Sequence, residues 1–163
     1  MTLFKYKIIN SLVGPLTIVA RDAYLIAILW DNEKEGRVVL DPMKEDLNHP
    51  VLLKTERQLQ DYFLQKKFIF DIPIQIEGTV FQKTVWQALA LIPYGATWSY
   101  KEIAQKIGHP NAVRAVGTAI GKNPISIILP CHRVIASNGS LAGFAGGLHK
   151  KQILLNLEKS AIR

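Results

Sequence analysis

The one cysteine of this 163-residue chain lies directly beside a histidine, in the sequence Leu-Pro-Cys-His-Arg-Val. A cysteine thiolate is a strong nucleophile, and it forms near neutral pH where charge, a helix N-terminus or a basic partner lowers the thiol pKa. Adjacent side chains usually point apart, so His132 needs a bend in the chain to serve Cys131, and Pro130 supplies one. On the pair alone, a buried structural cysteine is the better interpretation.

The flanking sequence favours a position at the edge of buried structure. An apolar run over residues 125–129 ends at Pro130, and a turn-forming stretch follows at residues 137–140. Residues 143–147 read Gly-Phe-Ala-Gly-Gly, a small-residue loop that allows a backbone to approach a ligand closely. Cys131 is therefore expected at a break between buried segments.

Bulk composition narrows the class of protein. Hydrophobic residues make up 48% of the chain and charged residues only 20%, which argues for a globular fold and against disorder. Twenty Lys and Arg against thirteen Asp and Glu leave a net charge of +7, which suits a polyanionic partner such as nucleic acid. Many basic proteins bind no nucleic acid, so the charge is supporting evidence only.

The cysteine count and the N-terminal sequence give expectations for disulfides, metal binding and cellular location. A single cysteine forms no internal disulfide, and the chain lacks any Cys/His spacing typical of a metal site. Neither a signal pattern nor a run of about 20 apolar residues is present, so no membrane partner is expected. We predict a reducing, cytoplasmic location that keeps the thiol reduced.

The N-terminal part has the pattern of a small sheet followed by one helix. Residues 4–10, 16–20 and 23–30 are rich in β-branched and aromatic types and are separated by turn signals, which predicts an antiparallel meander. Residues 38–40 could add a short strand, and residues 50–66 change to a helical period. No site assembles here, so this part is interpreted as a scaffold.

The C-terminal part is predicted to be mainly helical. Thr79 and Gln82 form a capping-box pattern at the start of one helix, and Ser99 with Glu102 caps the next. A turn over residues 108–110 then leads to a third helix at about 111–121, and the second and third helices together match a helix-turn-helix. A last helix is predicted at about 148–158.

The third helix has an unusual outward face. Val113, Val116 and Ile120 are predicted to face inward, which leaves one cation among small residues outside: Arg114, Ala115, Thr118 and Gly121. Small residues permit close approach to a narrow groove, whereas reading a major groove calls for longer polar side chains. A helix packed against another part of the protein fits this composition equally well.

These motifs together resemble the O6-alkylguanine-DNA alkyltransferase family. The resemblance runs from about Gly78 to Glu158 and rests on Asn123-Pro124, the Leu-Pro-Cys-His-Arg-Val motif and Gly-Phe-Ala-Gly-Gly-Leu. It implies an α/β fold class, with a small ribonuclease-H-like α/β domain at residues 1–75. A winged helix-turn-helix domain that binds DNA and transfers the alkyl group would occupy residues 76–163.

The resemblance implies a single-turnover DNA repair reaction. The protein would flip O6-alkylguanine, and also O4-alkylthymine, out of the duplex and transfer the alkyl group irreversibly to Cys131. No cofactor and no metal are implied. The partner would be double-stranded DNA bound through its minor groove by a monomer, with cooperative binding along the DNA left open.

Each implied role falls on a matching residue. His132, oriented by Glu158, would take the proton of Cys131 through a bridging water, and Asn123 would brace the turn between the DNA-binding helix and the active site. Tyr100 would contact the flipped base and its phosphate. Arg114 would fill the gap in the base stack, with Ala115 and Thr118 beside it in the groove.

The base pocket is implied by the same motifs. Its residues would be Pro130, Val134, Phe144, Ala145 and Gly146. Two of them depart from some relatives, because Phe144 replaces a tyrosine and Ala145 replaces a serine, so each lacks a hydroxyl. Backbone donors are unaffected, and we expect altered substrate tolerance with activity retained.

Three other functions are compatible with parts of the sequence. A lesion-binding relative without transfer activity typically lacks the cysteine, which Cys131 argues against. A winged-helix transcription regulator would leave the cysteine motif unexplained and would bind one DNA sequence specifically. A cysteine peptidase would need an unusual dyad, since its cysteine and histidine would be neighbours in sequence.

Overall fold

A computed structural model describes residues 3–40 and 42–161, which divide into two compact units. The first unit comprises Met1–Ile76 and the second Glu77–Arg163. No helix among the described residues has the length and apolar character needed to cross a membrane.

The first unit is built on a four-stranded sheet. Its strands are β1 (Phe4–Ile9), β2 (Leu16–Arg21), β3 (Tyr24–Trp30) and β4 (Met43–Glu45), in the order β3-β2-β1-β4. The first three strands pair antiparallel, which confirms the predicted meander, and β4 pairs parallel with β1.

One helix covers this sheet. Helix α1 (Pro50–Phe63) packs on β2 and β3, and its first turn is capped by the His49 imidazole, which accepts the Val51 amide at 3.2 Å. Proline at the first helical position suits this start, because its missing N–H would have had no partner there. Beyond the helix, residues 73–75 pair with β3 through backbone hydrogen bonds to Leu25.

Two details of the first unit differ from the sequence prediction. The fourth strand lies at Met43–Glu45, so the strand predicted at residues 38–40 is wrong. Val38 and Leu40 instead pack as partly buried side chains against the cluster around Phe4 and Val19. Their apolar character therefore reflects core packing without strand pairing, which a short apolar run does not distinguish.

The second unit contains the predicted helices. Helix α2 (Val80–Leu89) starts with the capping box, since the Thr79 side chain accepts the Gln82 amide and the Gln82 side chain accepts the Thr79 amide, both at 3.0 Å. Helix α3 (Tyr100–Lys106) is capped by Ser99, as predicted. Helix α4 (Val113–Gly121) packs against α2 and α3, which completes the helix-turn-helix.

The remaining elements form the other side of the second unit. Strand β5 (Trp98–Ser99) pairs parallel with β6 (Val134–Ile135), and a 3-10 turn at Cys131–Arg133 leads directly into β6. Helix α5 (Leu148–Ala161) packs on that turn. The C-terminal helix and the Cys-His-Arg turn are thus brought together by packing between residues distant in sequence.

Candidate active site

The segment between α4 and Cys131 is braced by one buried side chain. The Asn123 amide group is 1% exposed; its Nδ2 donates to the Leu129 carbonyl at 2.8 Å, and its Oδ1 accepts the Ile125 amide at 3.0 Å. A single asparagine thereby bridges the two ends of this segment and satisfies the buried Ile125 amide.

This loop contains a strained residue. Ile127 is buried and has a φ of +76°, in the left-handed region that β-branched residues rarely adopt. Such a conformation costs about 1–3 kcal/mol and persists only where the surroundings hold it in place. The Asn123 contacts and the hydrogen bond from the Leu129 amide to the Ile125 carbonyl supply that restraint.

The 3-10 turn places the cysteine and the histidine in the interior. Cys131 is 4% exposed and His132 is fully buried. The Cys131 amide donates to the Leu129 carbonyl at 2.7 Å, and the Arg133 amide donates to the Pro130 carbonyl at 3.0 Å. The predicted bend at Pro130 is present, and Cys131 lies at the predicted break between the apolar run and β6.

The histidine is held by a carboxylate from the C-terminal helix. His132 Nε2 lies 2.6 Å from Glu158 Oε2, and Glu158 is 1% exposed. His132 Nδ1 is buried and has no hydrogen-bond partner among the described residues. With Nε2 donating to the carboxylate, Nδ1 carries the lone pair and is the basic atom of the ring.

The charge state of this pair follows from its surroundings. Burial lowers the pKa of His132, and this effect exceeds the opposing influence of Glu158, so the imidazole is neutral at physiological pH. The pKa of Glu158 is lowered to about 2, because the hydrogen bond from His132 and then the hydrogen bonds and charge of Arg133 outweigh the effect of its burial. A neutral base beside an ionised carboxylate is suited to accepting a proton.

Arg133 completes the cluster and was not predicted as a site residue. Its Nε donates to Glu158 Oε1 at 2.7 Å and its Nη2 to Glu158 Oε2 at 3.1 Å, while Nη1 donates to the Ile92 carbonyl at 2.8 Å. The guanidinium also lies over the ring of Tyr94, 5.6 Å from its centroid.

Lys151 is a second buried charged residue that was not predicted from the sequence. Its Nζ donates to the Val134 carbonyl at 2.5 Å and to the Ala142 carbonyl at 3.4 Å, and it lies 6.0 Å from the Phe144 ring centroid. Burial lowers its pKa, and the nearby Cys131 opposes that shift. Lys151 therefore connects β6 to the glycine-rich loop beside the cysteine.

A signal for these buried charges exists in α5. Lys151, Leu154 and Glu158 recur at helical spacing and are the buried residues of this helix. The apolar residues Ile153 and Leu157 of the same helix are only half-buried. Burial in this helix therefore does not follow apolar character, because charged residues with partners also occupy interior positions.

The residues predicted to line the base pocket differ in their exposure. Pro130, Val134 and Gly146 are buried, and Phe144 and Ala145 are half-buried. Tyr100, at the start of α3, is half-buried with its pKa raised by burial and then by the nearby Cys131. The phenol of Tyr100 is therefore protonated at neutral pH and able to donate a hydrogen bond near the sulfur.

Helix α4 presents the predicted small-residue face. Arg114, Ala115 and Thr118 are exposed and, with residues of the α2 N-terminus, line a mainly apolar groove of about 630 Å³. Val116 and Ile120 are buried as predicted, but Val113 is 37% exposed. Val113 is the first residue of α4, where the neighbouring helices do not cover it.

The net positive charge belongs to this unit. By sequence, residues 77–163 carry ten basic against three acidic residues, whereas residues 1–76 carry ten of each. The entire excess of +7 thus lies on the unit that contains the helix-turn-helix. Charge concentrated on one unit attracts a polyanion more effectively than charge spread over the chain.

Each of the two units matches a family model. The ribonuclease-like domain of 6-O-methylguanine DNA methyltransferase matches residues 4–76, and the DNA-binding domain of 6-O-methylguanine DNA methyltransferase matches residues 80–160. These matches confirm the predicted fold class of an N-terminal ribonuclease-like domain followed by a DNA-binding domain.

Individual relatives align with nearly the whole chain. A methylated-DNA–protein-cysteine methyltransferase of Methanosarcina barkeri is 46% identical over 158 residues, covering 97% of this chain and 99% of the relative. The Mycobacterium tuberculosis protein of the same name is 44% identical over 157 residues, covering 95% and 92%. The crystal structure of M. tuberculosis OGT in complex with DNA has a TM-score of 0.89 at 43% identity, covering 96% and 94%.

The Glu158 cluster predicts a pH-dependent stability. A carboxyl pKa lowered from 4.5 to about 2 stabilises the folded state by about 3 kcal/mol. This contribution is present above pH 4.5 and is lost as the pH falls towards 2. We expect Glu158→Gln to lower the free energy of unfolding by about that amount near neutral pH.

Urea denaturation from neutral to acidic pH measures this effect. The difference between the two proteins should shrink below pH 4.5. Glu102→Gln is the matched control, since Glu102 is exposed on α3, and it should change stability little at any pH. A Glu158→Gln protein with unchanged stability near neutral pH would contradict the assigned charge state.

Proposed function

This chain belongs to the 6-O-methylguanine DNA methyltransferase family, and from that membership we propose that Cys131 is the residue that accepts the alkyl group. The activity is that of a methylated-DNA–protein-cysteine methyltransferase, which repairs DNA by transferring the alkyl group to the protein itself. The observation that carries the assignment to Cys131 is the buried His132–Glu158 contact at the next residue.

The His132 imidazole serves as the general base. Its Nε2–H donates to Glu158, so Nδ1 is the proton acceptor. Since Nδ1 makes no direct hydrogen bond to a described residue, the Cys131 proton reaches it through a water molecule. This arrangement of nucleophile, base and orienting carboxylate follows the logic of other activated nucleophiles.

The transfer step is an in-line displacement at the alkyl carbon. The sulfur–carbon bond forms as the bond between carbon and guanine O6 breaks, and guanine leaves with the bonding electrons. A donor at the base edge stabilises the developing negative charge, and the protonated Tyr100 phenol near Cys131 is suited to this role. The thioether product is stable, so each molecule reacts once.

The base pocket forms around the sulfur. Pro130, Val134, Phe144, Ala145 and Gly146 hold the flipped base through apolar contacts and backbone donors, and Lys151 fixes the Val134 carbonyl at its edge. The protein accepts O6-alkylguanine and, with the same geometry, O4-alkylthymine. Asn123 acts indirectly, by bracing the loop that carries Cys131.

DNA binds to the exposed face of α4. Ala115 and Thr118 let the helix approach the minor groove closely, and Arg114 enters the base stack in place of the extruded nucleotide. The +7 charge of the second unit supports the binding of a polyanion by this unit. The protein acts as a cytoplasmic monomer, and its binding along DNA is open to cooperativity.

Mass spectrometry tests the assignment of the nucleophile. Excess duplex containing one O6-methylguanine should add one methyl group per protein molecule, confined to the peptide that contains Cys131. Cys131→Ala should bind the same duplex and gain no mass. Tight binding by the unmodified protein without any gain would instead identify a lesion-binding protein.

The proposed role of Arg114 in base flipping is tested by comparing a substrate that must be flipped with one that need not be. Arg114→Ala should slow methyl transfer from duplex DNA at least about 10-fold, because extrusion costs a few kcal/mol that the intercalated side chain offsets. Its reaction with free O6-benzylguanine, which needs no flipping, should be unchanged.

The matched control for this experiment is Lys122→Ala. It removes an exposed cation just beyond α4 and should weaken DNA binding only through the loss of one charge. Equal slowing of both reactions by Arg114→Ala would contradict the proposed role of Arg114.

A further inference from the structure

We propose that Arg133 is a positioning residue for the reaction, which keeps the Glu158 carboxylate in the orientation that makes His132 a base. The inference rests on the proposed function of Cys131 and His132. The Arg133 guanidinium is buried, and its hydrogen bonds and ring contact are to Glu158, Ile92 and Tyr94.

Arg133 restrains both oxygens of the carboxylate. Its Nε and Nη2 donate to Oε1 and Oε2 of Glu158, at 2.7 and 3.1 Å, in the two-pronged geometry that a planar guanidinium provides. Oε2 also accepts from His132, and Oε1 is 3.3 Å from the Gly95 amide. Any rotation of the carboxylate that would release His132 must therefore also break the contacts to Arg133.

The guanidinium is itself anchored on a third element. Its Nη1 donates to the Ile92 carbonyl in the turn after α2, and its face lies over the Tyr94 ring. Ile92 is 1% exposed, so this carbonyl belongs to the core. Arg133 thus fixes a carboxylate on α5 relative to the core of the unit, and the orientation of Glu158 does not depend on α5 alone.

The charge of Arg133 acts on His132 as well. The groups that face the imidazole are Glu158 and Lys151 from α5 and Arg133 from the same turn, with Cys131 beside it. Glu158 favours the imidazolium, whereas the positive charges of Arg133 and Lys151 disfavour it. Without Arg133 the carboxylate would be less compensated, the pKa of His132 would rise, and the base would be protonated over more of the acidic range.

A positioning role and a purely stabilising role of Arg133 predict different pH dependences of the reaction. A residue that only held the fold together would lower stability without moving the pH dependence of the reaction. The measurement is the single-turnover rate constant for methyl transfer from O6-methylguanine duplex as a function of pH. With His132 as base, the rate of the unmodified protein falls on the acidic side as the imidazole is protonated.

Arg133→Met removes both the charge and the hydrogen bonds. We expect its acidic limb to move up by about one pH unit, with the plateau rate lowered about 10-fold. Arg133→Lys keeps the charge without the planar fork, so its acidic limb should stay in place while the plateau falls by a similar factor. Arg57→Met is the matched control, because Arg57 is exposed in the first unit, and it should change neither quantity.

Combining Arg133→Met with Glu158→Gln tests whether Arg133 acts through Glu158. In a Glu158→Gln protein, adding Arg133→Met should change the plateau rate by less than about twofold, because the group to be positioned is already altered. The double variant also removes both members of the buried pair, which proteins tolerate better than removal of one. If Arg133→Met fails to fold, the Arg133→Lys plateau decides the question.

The inference is overturned if Arg133→Met leaves both the acidic limb and the plateau unchanged. An Arg133→Lys plateau equal to that of the unmodified protein, or an equal effect of Arg133→Met in both backgrounds, would also overturn it. Failure of the unmodified protein to transfer a methyl group to Cys131 would instead overturn the proposed function, so the two failures are distinguishable.

Discussion

Burying the carboxylate of Glu158 is the constraint on which the rest of the second unit depends. An ionised carboxylate removed from water is costly unless hydrogen bonds and opposite charge compensate it. His132 and Arg133 provide that compensation, and they lie 26 and 25 residues away in sequence. The C-terminal helix must therefore pack on the Cys-His-Arg turn. That packing brings Glu158 into contact with His132, the residue next to Cys131.

The segment that leads into Cys131 depends on its backbone conformation. Ile127 adopts a left-handed conformation, and Asn123 holds the loop around it through two buried hydrogen bonds. Because this loop connects α4 to Cys131, the helix that carries Arg114 and the turn that carries the proposed nucleophile are linked by a short, hydrogen-bonded segment. Rigidity here matters, since small displacements of reacting groups cost large factors in rate.

Local patterns in the sequence were sufficient for much of this architecture. The capping residues Thr79, Gln82 and Ser99 marked helix starts correctly, because capping is decided within four residues. The break at Cys131 followed from Pro130 and the apolar run before it. The meander of the first unit followed from alternating strand and turn signals, which are equally local.

Contacts between distant residues were the part that the sequence could not specify. Arg133 and Lys151 look like surface cations until α5 packs on the turn, and both are buried by partners that no local window contains. Strand β4 pairs with β1 across about 40 residues, and its three residues are exposed and give no alternating apolar pattern. The roles proposed for Cys131, His132 and Glu158 came from the family resemblance, whereas the burial of all three residues came from the structure.

The most direct test of this account is the protonation state of His132. Two-bond proton–nitrogen NMR correlations on histidine-labelled protein near neutral pH, assigned by their loss in His132→Asn, distinguish the three forms of the ring. The account predicts a neutral imidazole with its proton on Nε2, donated to Glu158, and an unprotonated Nδ1. A doubly protonated ring would contradict it, because neither nitrogen could accept a proton. A proton on Nδ1 would also contradict it, because the only acceptor would then be Nε2, which faces Glu158.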